Sequence, residues 1–466
     1  MLGMGNMRQW LMNISLVGGW FPAAAFAVIA VLSVTLLVSA AVSKRDGRIL
    51  ATVLPIGVAA VSGMVGYVVA WLLSDVFVVF GVGLGSRVMS WVAAGFAIAG
   101  FAIVHIVLSR GMMRVAAAIL TVFAILAAAI GIDQSYGEYA TIGSLFGEDS
   151  YSQADLTGLA KRKDLITVAQ WRKQAANGTI RNIPANGTVN KIDIPATKSQ
   201  FEARKALVYL PPAALADSKR KPALPVVLIL SGQPGSPGRV FQAGGIQTMM
   251  DGYAKTHDGL APIVIAADQL GADSHNTLCV DSKVYGNALT YLTQDVVDWV
   301  KTNLPAAQDA KDWAIAGFSQ GATCSLQIGV NHPDLFGTMI PTDSEIKPTN
   351  GSRQEMIDRF FDGDTTAYEN QVPVNAIRNH APTHQMLIIG AGEKDTTSIR
   401  NVKTIAPVAA KAGMRVAAVE SSGNAHDWHA VQDVLRYGLA VFGHDTGLDG
   451  ANPNLSDYPN LKRITI

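Results

Sequence analysis

Three short stretches of this chain hold residue types that together can open a carbonyl ester. The first is Gly317-Phe318-Ser319-Gln320-Gly321, set between the apolar run Trp313-Ala314-Ile315-Ala316 and the helix-like Ala322-Thr323-Cys324-Ser325-Leu326-Gln327. A serine on so tight a strand-to-helix turn needs glycine two residues to either side, because larger side chains there would collide. The turn lifts the hydroxyl clear of the strand and aims a helix-start amide at a developing oxyanion. A serine hydroxyl is a weak nucleophile by itself, so a base and an acid must be brought to it. Asp395 follows the apolar Met386–Ile389, in Gly390-Ala391-Gly392-Glu393-Lys394-Asp395, with Glu393 as the alternative acid. His426 follows Val416–Val419, in Gly423-Asn424-Ala425-His426-Asp427-Trp428-His429, with His429 as the alternative base. His426 would take the Ser319 proton and return it to the leaving group, while Asp395 would hold the histidine tautomer and stabilise the imidazolium. The oxyanion hole needs two donors. The amide of Gln320 is one, and Gly232 or Gln233 in Ser231-Gly232-Gln233-Pro234-Gly235 is the other, since Pro234 has no N–H.

The elements that must position these residues are legible as apolar runs. Val226–Leu230, Ile263–Ala267, Trp313–Ala316, Met386–Ile389 and Val416–Val419 have the continuous hydrophobicity of strands buried on both faces. Helix-like segments separate them, notably Leu289–Asn303, Ala322–Asn331, Gln354–Phe361 and Val402–Ala412. Such alternation predicts a mainly parallel sheet with helices on both faces. Before it, Gly187–Ile194 alternates as a half-buried strand, and Ala206–Pro212 is its expected antiparallel partner.

The region from about Gly187 to Gly443 resembles the esterase D and mycolyltransferase branch of the α/β-hydrolases. The resemblance rests on the paired strands ending in Leu210-Pro211-Pro212, on Gly317-Phe318-Ser319-Gln320-Gly321, on Gly392-Glu393-Lys394-Asp395, and on Gly423-Asn424-Ala425-His426-Asp427-Trp428. It implies ester hydrolysis or acyl transfer through an acyl-enzyme, with no metal or other cofactor. Two departures stand out. The loop after Val226–Leu230 lacks the His-Gly common in lipases, and the secreted members have no counterpart of the N-terminal 132 residues.

Those residues set the cellular context. The chain has 466 residues, 49% hydrophobic but only 16% charged, and the charge deficit lies in the first 132. Four apolar stretches, about 21–42, 50–73, 87–108 and 115–132, each reach the length that crosses a bilayer. Lys44, Arg45 and Arg48 follow the first, and Arg110 and Arg114 follow the third, so both loops are expected on the cytoplasmic side. Both termini and the catalytic domain would then lie outside. Met64, Gly66, Gly95 and Gly100 are expected to serve helix packing, and His105 a packed position rather than a proton relay. The expected organisation is a transmembrane domain at 1–132, an extracytoplasmic linker at 133–186, with Lys161–Lys173 as a solvated connector or a short surface helix, and a catalytic domain at 187–466. Asp268, Asp343 and Glu345 fall at strand ends, where they either line the pocket or, the favoured reading, are ordinary solvated loop charges. Cys279 and Cys324 form either a disulfide or two buried thiols. A net charge of +1 offers nucleic acid no electrostatic footprint. The function these features predict is a membrane-anchored, outward-facing serine esterase or acyltransferase whose partners are the bilayer and a lipid-linked or envelope ester. The alternative is a noncatalytic membrane scaffold that keeps a hydrolase-like domain for binding.

Overall fold

The protein is described by a computed structural model that covers residues 2–42, 48–77, 79, 83–149, 151–159, 164–180, 182–218, 220–380 and 384–466. It divides into two compact units, Met1–Glu148 with Ala425–Asp427, and Asp149–Asn424 with Trp428–Ile466.

The first unit is helical. After α1 (Leu2–Met12) come α2 (Trp20–Ala41), α3 (Arg48–Trp71, continued by a π-turn to Val76), α4 (Gly85–Leu108) and α5 (Met112–Tyr136). The last four are long and apolar enough to cross a membrane. They pack through small residues. A Cβ at Gly66 would press on Phe96, one at Gly95 would come within 2.8 Å of Ala128, and one at Gly100 would strike Ser62. Met64, expected to join these packing positions, is instead 70% exposed. His105 is buried with its ring 4.6 Å from that of Phe101. Of the basic residues used to orient the spans, Lys44 and Arg45 lie outside the described residues, as does Lys161 of the expected connector.

The second unit is built on a ten-stranded sheet. Its strands are β1 (Ser152–Gln153), β2 (Thr188–Ile192), β3 (Ala206–Leu210), β4 (Val226–Leu230), β5 (Ile263–Ala266), β6 (Trp313–Phe318), β7 (Thr338–Thr342), β8 (Met386–Gly392), β9 (Arg415–Ser421) and β10 (Leu461–Arg463). The spatial order is β1-β2-β3-β5-β4-β6-β7-β8-β9-β10. From β5 to β9 every pairing is parallel; β3 and β10 run antiparallel to their neighbours. Alternate residues of β4 feed opposite cores, Val226, Leu228 and Leu230 into one, Val227 and Ile229 into the other. The first core is closed by α7 (Gln320–Asn331) and α8 (Thr396–Lys411), the second by α9 (Trp428–Asp445). This two-sided burial is why the strands lack alternation in the sequence.

The stretch expected as a linker is more structured than its polarity suggests. β1 pairs in parallel with β2, and Asp149 forms a 2.8 Å ion pair with Lys191. Within it α6 (Val168–Ala176) buries Trp171 completely, the indole N–H donating to the carbonyl of Asp258 at 3.1 Å. One aromatic anchor outweighs the surrounding charge.

Candidate active site

Strand β6 ends at Phe318, and Ser319 follows with φ 55° and ψ −117°. That left-handed backbone is costly for any residue with a Cβ, and such strain is found where the surrounding structure imposes it. Here the constraint is visible. A Cβ at Gly317 would collide with the carbonyl of Gly321, and one at Gly321 would lie 2.6 Å from the carbonyl oxygen of Leu230. Only glycine lets strand and helix approach so closely. The Ser319 N–H donates to Thr342 O at 3.0 Å, and the Ser319 carbonyl accepts from Thr323 at 3.0 Å as α7 begins. The unpaired amides that open any helix therefore start at the residue after the serine.

Strands β7 and β8 deliver the acids. Asp395 is buried beyond β8 and caps α8, one carboxylate oxygen accepting from Thr397 at 3.1 Å and Ser398 at 3.0 Å. Asp343 follows β7 directly, fully buried at φ 54°, its Oδ1 accepting from the Gly392 N–H at 2.9 Å. A carboxylate oxygen of each and a ring nitrogen of His426 all lie within 4.8 Å of one another. Glu393 is elsewhere. It accepts from the Gly423 N–H at 2.7 Å and pairs with Lys462 at 3.0 Å, and these two interactions, the first foremost, hold its carboxyl below the ordinary glutamate range. Its role is to tie two loops. The loop carrying His426 is clipped to the turn carrying Asp395, since Lys394 N donates to Asn424 O at 2.8 Å. Asn424 in turn donates to Ser421 Oγ at 2.8 Å. His429 sits half-buried in the first turn of α9 and is not a member of the Asp343, Asp395 and His426 group. Two carboxylates and an imidazole are ligand types a small cation accepts. Each carboxylate here also takes N–H donors from the fold, the other means of stabilising buried charge.

The turn after β4 runs beside the serine. A Cβ built on Gly232 would lie 3.5 Å from the Cβ of Ser319. Gln233 turns its amide outward, donating to Ser274 O at 3.1 Å. Gln320 buries its side chain, which accepts from Gln269 at 3.2 Å and donates to Asn276 at 3.3 Å. Cys279 and Cys324 form a disulfide with Cα atoms 5.7 Å apart, fastening the loop after β5 to α7.

Two strand-end charges differ from expectation. Asp268 is not solvated; it is fully buried and receives Arg204 Nη2 at 2.8 Å and Nε at 2.9 Å. Burial alone would lower the Arg204 guanidinium, but the carboxylates of Asp268 and Asp273 more than offset this and raise it. Asp343 is likewise buried, and its place beside Asp395 and His426 accords with the pocket-lining alternative rather than the favoured solvated one. The available signal was its position one residue past a strand that follows the serine turn. Glu345 remains partly exposed and lines a shallow surface depression with Asn276, Gln320, Thr323 and Gln327.

Residues 198–438 match the family model described as putative esterase. An uncharacterized protein of Corynebacterium glutamicum is 32% identical over 333 residues, 70% of this chain and 74% of that protein. Among solved structures, the chain is similar to an S-formylglutathione hydrolase of Agrobacterium tumefaciens at 16% identity and a TM-score of 0.46, over 57% of this chain and 98% of that one. It is also similar to a ferulic acid esterase of Anaeromyces mucronatus at 17% identity and a TM-score of 0.42, over 55% and 90%.

Proposed function

This chain belongs to the putative-esterase family, and we propose that it is a membrane-anchored serine esterase acting outside the cytoplasm on lipid-linked or envelope esters. The observation that carries the reading is Ser319 held at φ 55° between two glycines that admit no side chain. In the proposed reaction Ser319 Oγ attacks the ester carbonyl while His426 accepts its proton. Asp395 orients the imidazole and balances its positive charge. The oxyanion forms against the Gln320 N–H and a second amide from the turn at Gly232 and Gln233, where each donor is worth about 3 kcal/mol of transition-state stabilisation. His426 then protonates the departing alcohol, and the same steps run in reverse with water to free the acid.

Anchoring is supported by four helices of spanning length and composition. The outward placement rests on the basic loops and accords with the Cys279–Cys324 disulfide, which persists in an oxidising compartment. A bilayer anchor raises the effective concentration of any ester held at the membrane surface without adding a contact.

The test is labelling of intact cells with a membrane-impermeant fluorophosphonate. The wild-type chain should be labelled and Ser319→Ala should not. Absence of labelling on a folded wild-type protein in detergent would favour the binding scaffold; labelling only after cell lysis would reverse the topology.

A further inference from the structure

The turn after β4 offers two amides for the second oxyanion donor, and a residue outside that turn distinguishes them. Gln269, one of the residues just beyond β5, is fully buried. Its Nε2 donates to the Ser231 carbonyl at 2.6 Å and lies 3.3 Å from Ser231 Oγ and 3.2 Å from Gln320 Oε1. Its Oε1 has no partner among the described residues. A buried amide that leaves its acceptor unmatched while pointing its donor at three oxygens is placed there for the donor.

The Ser231 carbonyl is fixed from a second side, since a Cβ on Gly321 would strike it. The Ser231–Gly232 bond is not cis, and in a planar trans peptide the C=O and N–H point in opposite directions. Holding the carbonyl toward Gln269 and Gly321 therefore turns the Gly232 N–H the other way. Gly232 is the residue of this turn beside Ser319, and among the described residues its N–H donates to no acceptor. Gln269 is itself braced, its carbonyl accepting from Thr277 Oγ1 at 2.7 Å, and Thr277 Oγ1 also accepts from Cys279 N at 3.1 Å.

We propose that Gly232 supplies the second oxyanion donor and that Gln269 is the positioning residue that aims it, by gripping the Ser231 carbonyl and bridging to Gln320. The proposal rests on Ser319 being the nucleophile. Without the grip the peptide is free to rotate, and the oxyanion loses a donor while substrate binding is untouched.

The experiment uses the full-length chain in detergent, with p-nitrophenyl butyrate as substrate and phenylboronic acid as a transition-state mimic. Gln269→Met keeps the unbranched shape but cannot donate; Gln269→Leu keeps the volume without polar atoms and serves if the methionine prevents folding. Either should lower kcat about 10- to 100-fold. KM should stay within about twofold, and boronate inhibition should weaken by the same factor as kcat/KM. A kcat within about threefold of wild type, or a fall in kcat with unchanged boronate affinity, would overturn the proposal. Ser319→Ala runs in parallel. If it retains full turnover, the nucleophile reading itself has failed, and with it the premise of this one.

Discussion

The helical unit and the sheet unit distribute the same apolar residue types in opposite ways. In the sheet, Leu228, Ile315 and Leu387 are wholly enclosed between helices. On the spans, Val31 is 64% exposed and Ile125 66%, while the enclosed residues are few, such as Leu36 and Leu120. A solvent-facing surface of that kind is unstable in water, and it is the ordinary surface of a protein whose solvent there is lipid. The hydrophobic effect thus builds the sheet unit from within, and would hold the helical unit from without if its four long helices lie in lipid as proposed. Chemistry follows the division: charged and strained residues are tolerated where the core fixes them, at the ends of β6, β7 and β8.

The contrast can be broken by substitution. The largest effect is expected at the proposed base, in the loop after β9. His426→Ala should lower kcat by about 10⁴- to 10⁶-fold, as expected when one member of a cooperating set is lost, while His429→Ala should change it less than about tenfold. A reversed ranking in ester-hydrolysis assays would reassign the base. Next comes the core itself. Leu228→Ala should cost about 2–5 kcal/mol of stability. The matching Val31→Ala on the exposed face of α2 should shift the unfolding midpoint in detergent scarcely at all, and equal shifts would mean the two faces are alike after all. Arginine sharpens the same point, because Val31→Arg should penalise insertion by about 2.5–3.5 kcal/mol if that position lies near the middle of a span. Membrane-fraction yield measures it, and an unchanged yield would argue that α2 does not span.

The smallest effect is one of pH. Asp295 is buried in the sheet unit. Burial alone would raise its carboxyl, but bonds from Ser199, Lys198 and Thr197 offset this and hold it below its ordinary value. A depressed folded value stabilises the fold above the unfolded pKa of about 3.9, and that stability is lost as pH falls through the lower folded value. Asp295→Asn should therefore cost about 1–3 kcal/mol near pH 7, with the gap from wild type closing below about pH 4. A gap that stays constant down to acid pH would assign the loss to packing instead.

Legibility in the sequence tracked the strength of local constraint. The serine turn was readable because its glycines are demanded by contacts only a few residues apart in the chain. Strands β4, β5, β6, β8 and β9 announced themselves as apolar runs. Strand β7 did not, since Thr338-Met339-Ile340-Pro341-Thr342 mixes hydroxyls and a proline into a buried strand, and so for the acid just past it a solvated charge was favoured over a pocket-lining one. β1 and β10, two and three residues long, owe their existence to partners far along the chain, β2 and β9, which no local pattern encodes. The choice between Asp395 and Glu393 was likewise nonlocal. Glu393 is occupied by Lys462, 69 residues later.

That last pairing gives the final residues of the chain a duty out of proportion to their number. Leu461–Arg463 form the outermost rung of the sheet, and two of the three side chains are cations, which discourages another chain from docking there. Trimming the tail would uncover the backbone of β9 to any passing strand and, through Lys462, slacken the segment that presents the carboxylate at 395. A fusion placed at this end should therefore be joined through a spacer beyond Ile466 rather than in its stead.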